Sequence, residues 1–255
     1  MNVHQLRAPN PGPFTLDGTN SYLIGRVVID PGPAIDEHVQ RILNKAPDLE
    51  AILITHRHGD HAPAARSLRE RSAARVYAPQ GVLDDSVVDV RLEDGMMVEL
   101  DSFRIEAIAT PGHTAEHFCF LSAEGDLFTG DMVLGAGTSA IFPPDGNMGD
   151  YVASLRKLIE RKPSRIHPGH GPVRDDAMEL LEQYLSHREM RDAQIASVLE
   201  NEALSIPSLR AKIYPDLGPG LEGAADAQLL AHLLYLIERG MVIEEQGRYR
   251  RVMPQ

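Results

Sequence analysis

Cys119 is the only cysteine in 255 residues. That excludes a disulfide within the chain and any cysteine-rich zinc finger. No apolar run approaches the roughly 20 residues that a membrane-spanning helix needs. The opening stretch MNVHQLRAPNPGPF has no basic start followed by an apolar segment, so no secretory signal is expected. Basic residues are also short: 25 Lys and Arg stand against 37 Asp and Glu, a formal charge of -12. A surface that acidic repels phosphate backbones at long range and lowers the expectation of nucleic-acid binding, without forbidding a local patch. These absences together point to a cytoplasmic protein with no membrane contact. The length, with 43% hydrophobic residues, suits one large domain or one domain with a small appendage.

The chain does hold a dense group of histidines. THRHGDH, residues 55–61, places three histidines and an aspartate directly after the apolar run Ala51-Ile52-Leu53-Ile54. That run has strand length and reads as buried on both faces. Before it, Asn20–Ile24 and Val27–Ile29 flank a turn at Gly25-Arg26 as a hairpin, closed by Asp30-Pro31-Gly32-Pro33, and Ala34–Asn44 has helical spacing. After it, Pro63 suits the first turn of a helix over Ala64–Arg71. Strands are expected at Val76–Ala78, in a hairpin of Val98–Leu100 with Phe103–Ile108 around Asp101-Ser102, in a pair of Phe118–Leu121 with Leu127–Thr129, and at Ser164–Ile166. A helix is expected from Tyr151 to Arg161.

From about Asp175 the texture becomes helical: Asp176 to about Glu202, Pro207–Ile213 and Ala225–Arg239, capped by Gly240 and followed by a hairpin within 241–252. Helix, helix, helix, hairpin is the order of a winged helix. The expected domains are therefore 1–178, carrying the strands, and 179–255, a helical linker with a winged-helix-like module. Gly218–Gly223 fits G-x-G-x-x-G literally, but it follows a helical stretch and contains proline, so it is not a dinucleotide loop.

In an extended loop alternate residues point the same way, so His56 and His58 can face one ion. Asp60 and His61, at the turn into the helix, can serve a second. Neutral imidazole and carboxylate are zinc ligands, and catalytic sites keep one position open. Three later strand ends supply more: His113 after Phe103–Ile108, Asp131 after Leu127-Phe128, and His170 after Ile166. Each is preceded by glycine, which permits close backbone approach. The remaining histidines (His4, His38, His117, His167, His187, His232) read by default as solvated or hydrogen-bonded. Cys119, mid-strand, reads as core packing.

With these motifs the chain resembles the metallo-β-lactamase-fold hydrolases. Within them it is most similar to the lactamase-beta-two type, through Asn10–Leu16, Gly18–Leu23 and His167–Val173. That type includes an endoribonuclease and thioesterase-like proteins. The resemblance implies an α+β fold, an αββα sandwich with the site at one edge of its two sheets, followed by the small C-terminal winged helix. It assigns His56, His58 and His113 to one metal and Asp60, His61 and His170 to another, with Asp131 bridging. It makes Asp30 a supporting residue that hydrogen-bonds the ligand loop. Arg57 and Ala62-Pro63-Ala64 depart from the family pattern at the pocket mouth. Aspartate rather than cysteine at 131 argues against antibiotic hydrolysis.

The expected chemistry is hydrolysis by a hydroxide bridging two divalent cations about 3.5–4 Å apart. Zinc suits the imidazoles, and manganese or iron would also fit the carboxylate-rich second site. Asp60 is expected to bind metal and orient the nucleophile. Asn20, His117 and Tyr151, with the loop Ile141–Asn147, are candidate substrate contacts. The expected substrate is a thioester or related small acyl compound. The alternatives are single-stranded RNA, cleaved by an endoribonuclease, and a metal-sensing winged-helix DNA binder. Against the last, residues 186–255 carry 8 Lys and Arg against 10 Asp and Glu, and only Arg248, Arg250 and Arg251 of the wing offer a basic face. The tail is expected to pack on the catalytic domain, shape the pocket rim or form a homodimer contact.

Overall fold

The structure, a computed structural model, describes residues 2–100 and 103–252. Two sheets carry it. A six-stranded sheet runs in the order β1(His4–Arg7), β2(Asn20–Ile24), β3(Val27–Ile29), β4(Ala51–Leu53), β5(Arg75–Ala78), β6(Val90–Arg91). A five-stranded sheet runs β11(Arg165–Pro168), β10(Asp126–Gly130), β9(Phe118–Ser122), β8(Phe103–Ala109), β7(Met96–Leu100). The expected hairpins are present, β2–β3, β7–β8 and β9–β10 being antiparallel. The turn at Asp101-Ser102 lies outside the described residues.

Strand alternation explains why the sheets stack. In β4 Ala51 and Leu53 enter the core shared with Val98, Ile105, Phe120 and Phe128 of the other sheet. Ile52 and Ile54 face the opposite way, onto Val39 and Ile42 of α1(Asp36–Lys45) and Ala64, Ala65 and Leu68 of α2(Ala64–Ser72). On the far side, Ile108, Cys119, Leu127 and Ile166 pack on α3(Met148–Glu160) and α4(Ala177–Val198). Three apolar layers thus separate helix, sheet, sheet and helix, an αββα sandwich. β4 is indeed buried on both faces.

Two strands were not expected. β1 is exposed along most of its length, so no apolar alternation marks it, and β6 has two residues. Helix α3 begins at Met148, three residues before Tyr151, because the Asn147 side chain caps it by accepting from the Asp150 N–H at 3.0 Å.

Beyond α4 come α5(Ile206–Ile213), α6(Glu222–Glu238) and the hairpin β12(Val242–Glu245)–β13(Arg248–Arg251). Ile195, Leu209, Leu229, Leu233 and Val242 give this tail its own core. It rests on the sandwich, with Ala231 of α6 buried in the core beneath α3. The arginines of this hairpin are already engaged. Arg248 donates to the Ala203 carbonyl, Arg250 pairs with Glu245, and Arg251 with Glu200. Among the described residues no helix is long and apolar enough to cross a membrane.

Candidate metal centre

The seven sequence-selected ligands all sit just past the C-terminal ends of strands. His56, His58, Asp60 and His61 follow β4, His113 follows β8, Asp131 follows β10 and His170 follows β11. Parallel pairing of β10 with β11 brings the last two strand ends together. A bridge between Thr19 and His170 then joins the second sheet's edge to the first.

Two groups result. His58 Nδ1 lies 3.0 Å from both His56 Nε2 and His113 Nε2. His61 Nε2 and His170 Nε2 are 3.3 Å apart, and Asp60 Oδ2 is 3.5 and 3.1 Å from them. Asp131 stands between the groups. Its Oδ2 is 3.9 Å from His56 and 3.6 Å from His113. Its Oδ1 is 3.3 Å from both His61 and His170. The residues of each group bring their ligand atoms within 4.8 Å of one another.

The partners around each ring assign which nitrogen carries the proton. His61 Nδ1 faces Asp30 Oδ2 at 2.8 Å, and His113 Nδ1 donates to the Ala140 carbonyl at 2.8 Å. Thr55 gives its hydroxyl proton to Asp30 Oδ2, so at 2.9 Å its oxygen accepts from His56 Nδ1. Those three rings therefore turn bare Nε2 lone pairs inward. Converging lone pairs with no proton between them repel unless a cation collects them, and the buried Asp131 Oδ1 makes no hydrogen bond. The donor set fits a pair of metal ions. Asp30, His56 and His61 also lie close together, but there Asp30 meets the proton-bearing side of His61 and acts through it.

Without a cation, the electrostatics place the missing positive charge on two of the rings themselves. Burial, then His61, hold His56 well below its ordinary value, and burial with His113 lowers His58. Burial opposes charge on His61, but Asp131 and Asp30 outweigh it and raise that imidazole. His170 is likewise pushed up to about 9 by Asp131 and Asp60 against burial. Burial is outweighed again at the carboxylates. Asp131 falls well below the usual range beside His61 and His170, and Asp60 falls to about 2 beside His170 and His61. The site demands positive charge between its carboxylates.

The substrate contacts read from sequence are placed differently. Asn20 is buried, and its amide donates to the carbonyls of Pro168 and Gly171, so it shapes the His170 loop rather than the pocket. Tyr151 is buried with its hydroxyl donating to the Met132 carbonyl at 2.7 Å. His117 lies behind His56, ring centroids 5.0 Å apart, with Nδ1 on the Thr110 hydroxyl. None of the three lines the pocket over the candidate metal ligands. That pocket, about 420 Å³, is bounded by Phe14, Leu16, Leu134, Phe142 and the Ala136–Ala140 segment, with His58, Asp60, His113, Asp131 and His170 at its floor. Of the loop Ile141–Asn147, only Phe142 reaches it.

Sequence reasoning missed the Pro13–Leu16 wall and Thr19. Phe14 and Leu16, apolar inside a proline- and glycine-rich loop, were the available signal. The Thr19 hydroxyl accepts from Asn10 and donates to Asp60 Oδ2 at 3.2 Å. Cys119 is buried and its thiol is pushed up to about 12, so it is no nucleophile.

Comparison with known proteins matches this picture. The model of the metallo-beta-lactamase superfamily matches residues 14–170. A beta-lactamase-like protein 2 homolog of Caenorhabditis elegans is 35% identical over 84% of this chain and 77% of its own. One from Drosophila melanogaster is 32% identical over 94% and 89%. Among solved structures, a beta-lactamase domain protein from Burkholderia ambifaria superposes with a TM-score of 0.84 at 23% identity, covering 98% of this chain and 91% of its own. TTHA1623 in a di-iron-bound form has a TM-score of 0.57 at 27% identity, covering 69% and 96%.

Proposed function

The chain belongs to the metallo-beta-lactamase superfamily and is a hydrolase of that superfamily, and we propose that it cleaves a thioester or related small acyl compound with water activated at two divalent cations. The pocket carries this reading. Its walls are apolar and aromatic, and no lysine or arginine is among its lining residues. Arg57 near the mouth is paired with Glu116 and Asp145. RNA would need free cations along its backbone and a stacking groove, whereas an acyl chain needs an apolar wall beside the ligands.

When bound, divalent cations lower the pKa of water toward neutrality and hold charge that develops on a carbonyl oxygen. His56, His58 and His113 would hold one, Asp60, His61 and His170 the other, and Asp131 both. Zinc suits the first donor set. The second, richer in carboxylate, also accepts manganese or iron, and the di-iron form of one relative supports that breadth. Asp60 is a poor base at neutral pH, its carboxyl being held at about 2. Its role is orientation. Oδ2 accepts from Thr19, leaving Oδ1 to accept a hydrogen bond from the attacking water and fix its direction. Phe14, Leu16 and Phe142 bind the acyl group and exclude bulk water.

The test is turnover of thioesters of graded acyl length alongside labelled single-stranded RNA, with Asp60→Ala as control. Thioester hydrolysis that disappears in Asp60→Ala is expected. RNA cleavage lost in the same variant, with no thioester turnover, would favour the endoribonuclease reading instead.

A further inference from the structure

Arg188, on α4, is 1% exposed, and its partners are a hydroxyl, a carbonyl and a ring rather than a carboxylate. Its Nη2 donates to Thr138 Oγ1 and to the Ser139 carbonyl, both at 2.7 Å, and its guanidinium lies 5.0 Å from the Tyr151 ring centroid. Asp192, one turn further along α4, is taken by His232 at 2.7 Å. Burying a guanidinium without a carboxylate is costly, and here a single nitrogen, Nη2, makes both hydrogen bonds.

The residues it grips say what it does. Thr138 and Ser139 form the pocket wall, and the next residue, Ala140, supplies the carbonyl that accepts from His113 Nδ1. The residue after that, Ile141, donates its N–H to Gln228 Oε1 of α6 at 3.0 Å. The Ala140 carbonyl is thus fixed twice, Gln228 holding the N–H of its own peptide plane and Arg188 holding the peptide before it. Tyr184, a turn before Arg188 on α4, steadies the start of the same wall by accepting from the Leu134 N–H and donating to the Gly137 carbonyl.

We propose that Arg188 and Gln228 are positioning residues through which the C-terminal helices hold the Thr138–Ile141 wall, orient ligand His113 and so set how tightly one of the two metals is retained. The inference rests on the metal-site reading above. A backbone carbonyl cannot be removed by substitution, so the two side chains that hold it are where its orientation is open to mutation.

The experiment is zinc titration of the purified full chain against a competing chelator, with the thermal unfolding of the metal-free protein recorded in parallel. The variants are Arg188→Met, Gln228→Leu, the double variant and Arg188→Lys. Wild type should bind two zinc ions. Each single variant should weaken one binding step by about tenfold, the scale for partners that orient a ligand histidine, and leave the other step and the metal-free melting temperature nearly unchanged. The double variant should lose less than the product of the singles, since both act on one carbonyl. Arg188→Lys, which keeps a donor, should recover part of the loss. If Arg188→Met does not fold, Gln228→Leu and Thr138→Val carry the same test. Unchanged zinc affinity in the folded variants overturns the proposal. Wild type that binds no zinc sinks the metal-site reading itself.

Discussion

Asp30 Oδ2 lies 2.8 Å from Nδ1 of His61. The same carboxylate accepts the Thr55 hydroxyl at 2.7 Å and the Thr55 backbone N–H at 2.8 Å. One buried side chain thereby sets the tautomer of a ligand and the entry of the ligand loop. Asp30→Asn keeps the shape but turns one acceptor into a donor. It should weaken metal binding roughly 10- to 100-fold while leaving the fold in place. Chelator competition would show this, and wild-type affinity in the variant would remove Asp30 from the site's support.

Gly169 shows how closely the backbone approaches the ligands. A Cβ there would stand 2.6 Å from Asp131 Oδ1 and 2.6 Å from His61 Cε1. Gly169→Ala should therefore cost at least one bound metal per chain, read by elemental analysis of the folded variant. Two ions held at wild-type affinity would show that the loop can yield there.

His38 provides a pH signature away from the ligands. It is buried with Nε2 2.9 Å from the Ser21 hydroxyl, and burial, then Arg41, lower it to about 4. Its folded value lies below the unfolded one near 6.5, so the folded state holds it neutral. That contribution is present above pH 6.5 and is lost as pH falls toward 4. Over this interval the metal-free wild type should lose up to about 3 kcal/mol more stability than His38→Gln. Parallel denaturant midpoints for the two proteins would contradict it.

Phe14 meets Phe142 edge-on, ring centroids 6.3 Å apart, across the pocket mouth. Phe142→Ala should raise KM several-fold for the longest thioesters, about 1 kcal/mol of lost apolar contact, with kcat little changed. The shortest acyl chains should be nearly indifferent. An equal effect on all chain lengths would place the acyl group elsewhere.

The candidate ligands were legible because four crowd one loop after an apolar strand and the other three each follow a strand end and a glycine, and the strands could be read as short apolar runs between turns. The helical tail was legible too, the Gly/Pro stretch after Tyr214 separating α5 from α6. What could not be read was direction. Asn20 opens β2 and Tyr151 sits in the first turn of α3, but their side chains turn inward to backbone carbonyls. Arg188 touches Thr138 across 50 positions of sequence, and no local pattern announces such a contact. β1, exposed and short, carries no alternation to be recognised by.

Metal content tests the two-ion centre most directly. After reconstitution with zinc and removal of free metal, the protein should hold two ions per chain. His113→Ala and His170→Ala should each retain one, because they belong to different groups around Asp131. A chain that retains no stoichiometric transition metal, or that loses both ions together in either variant, would contradict two separately held cations sharing one aspartate.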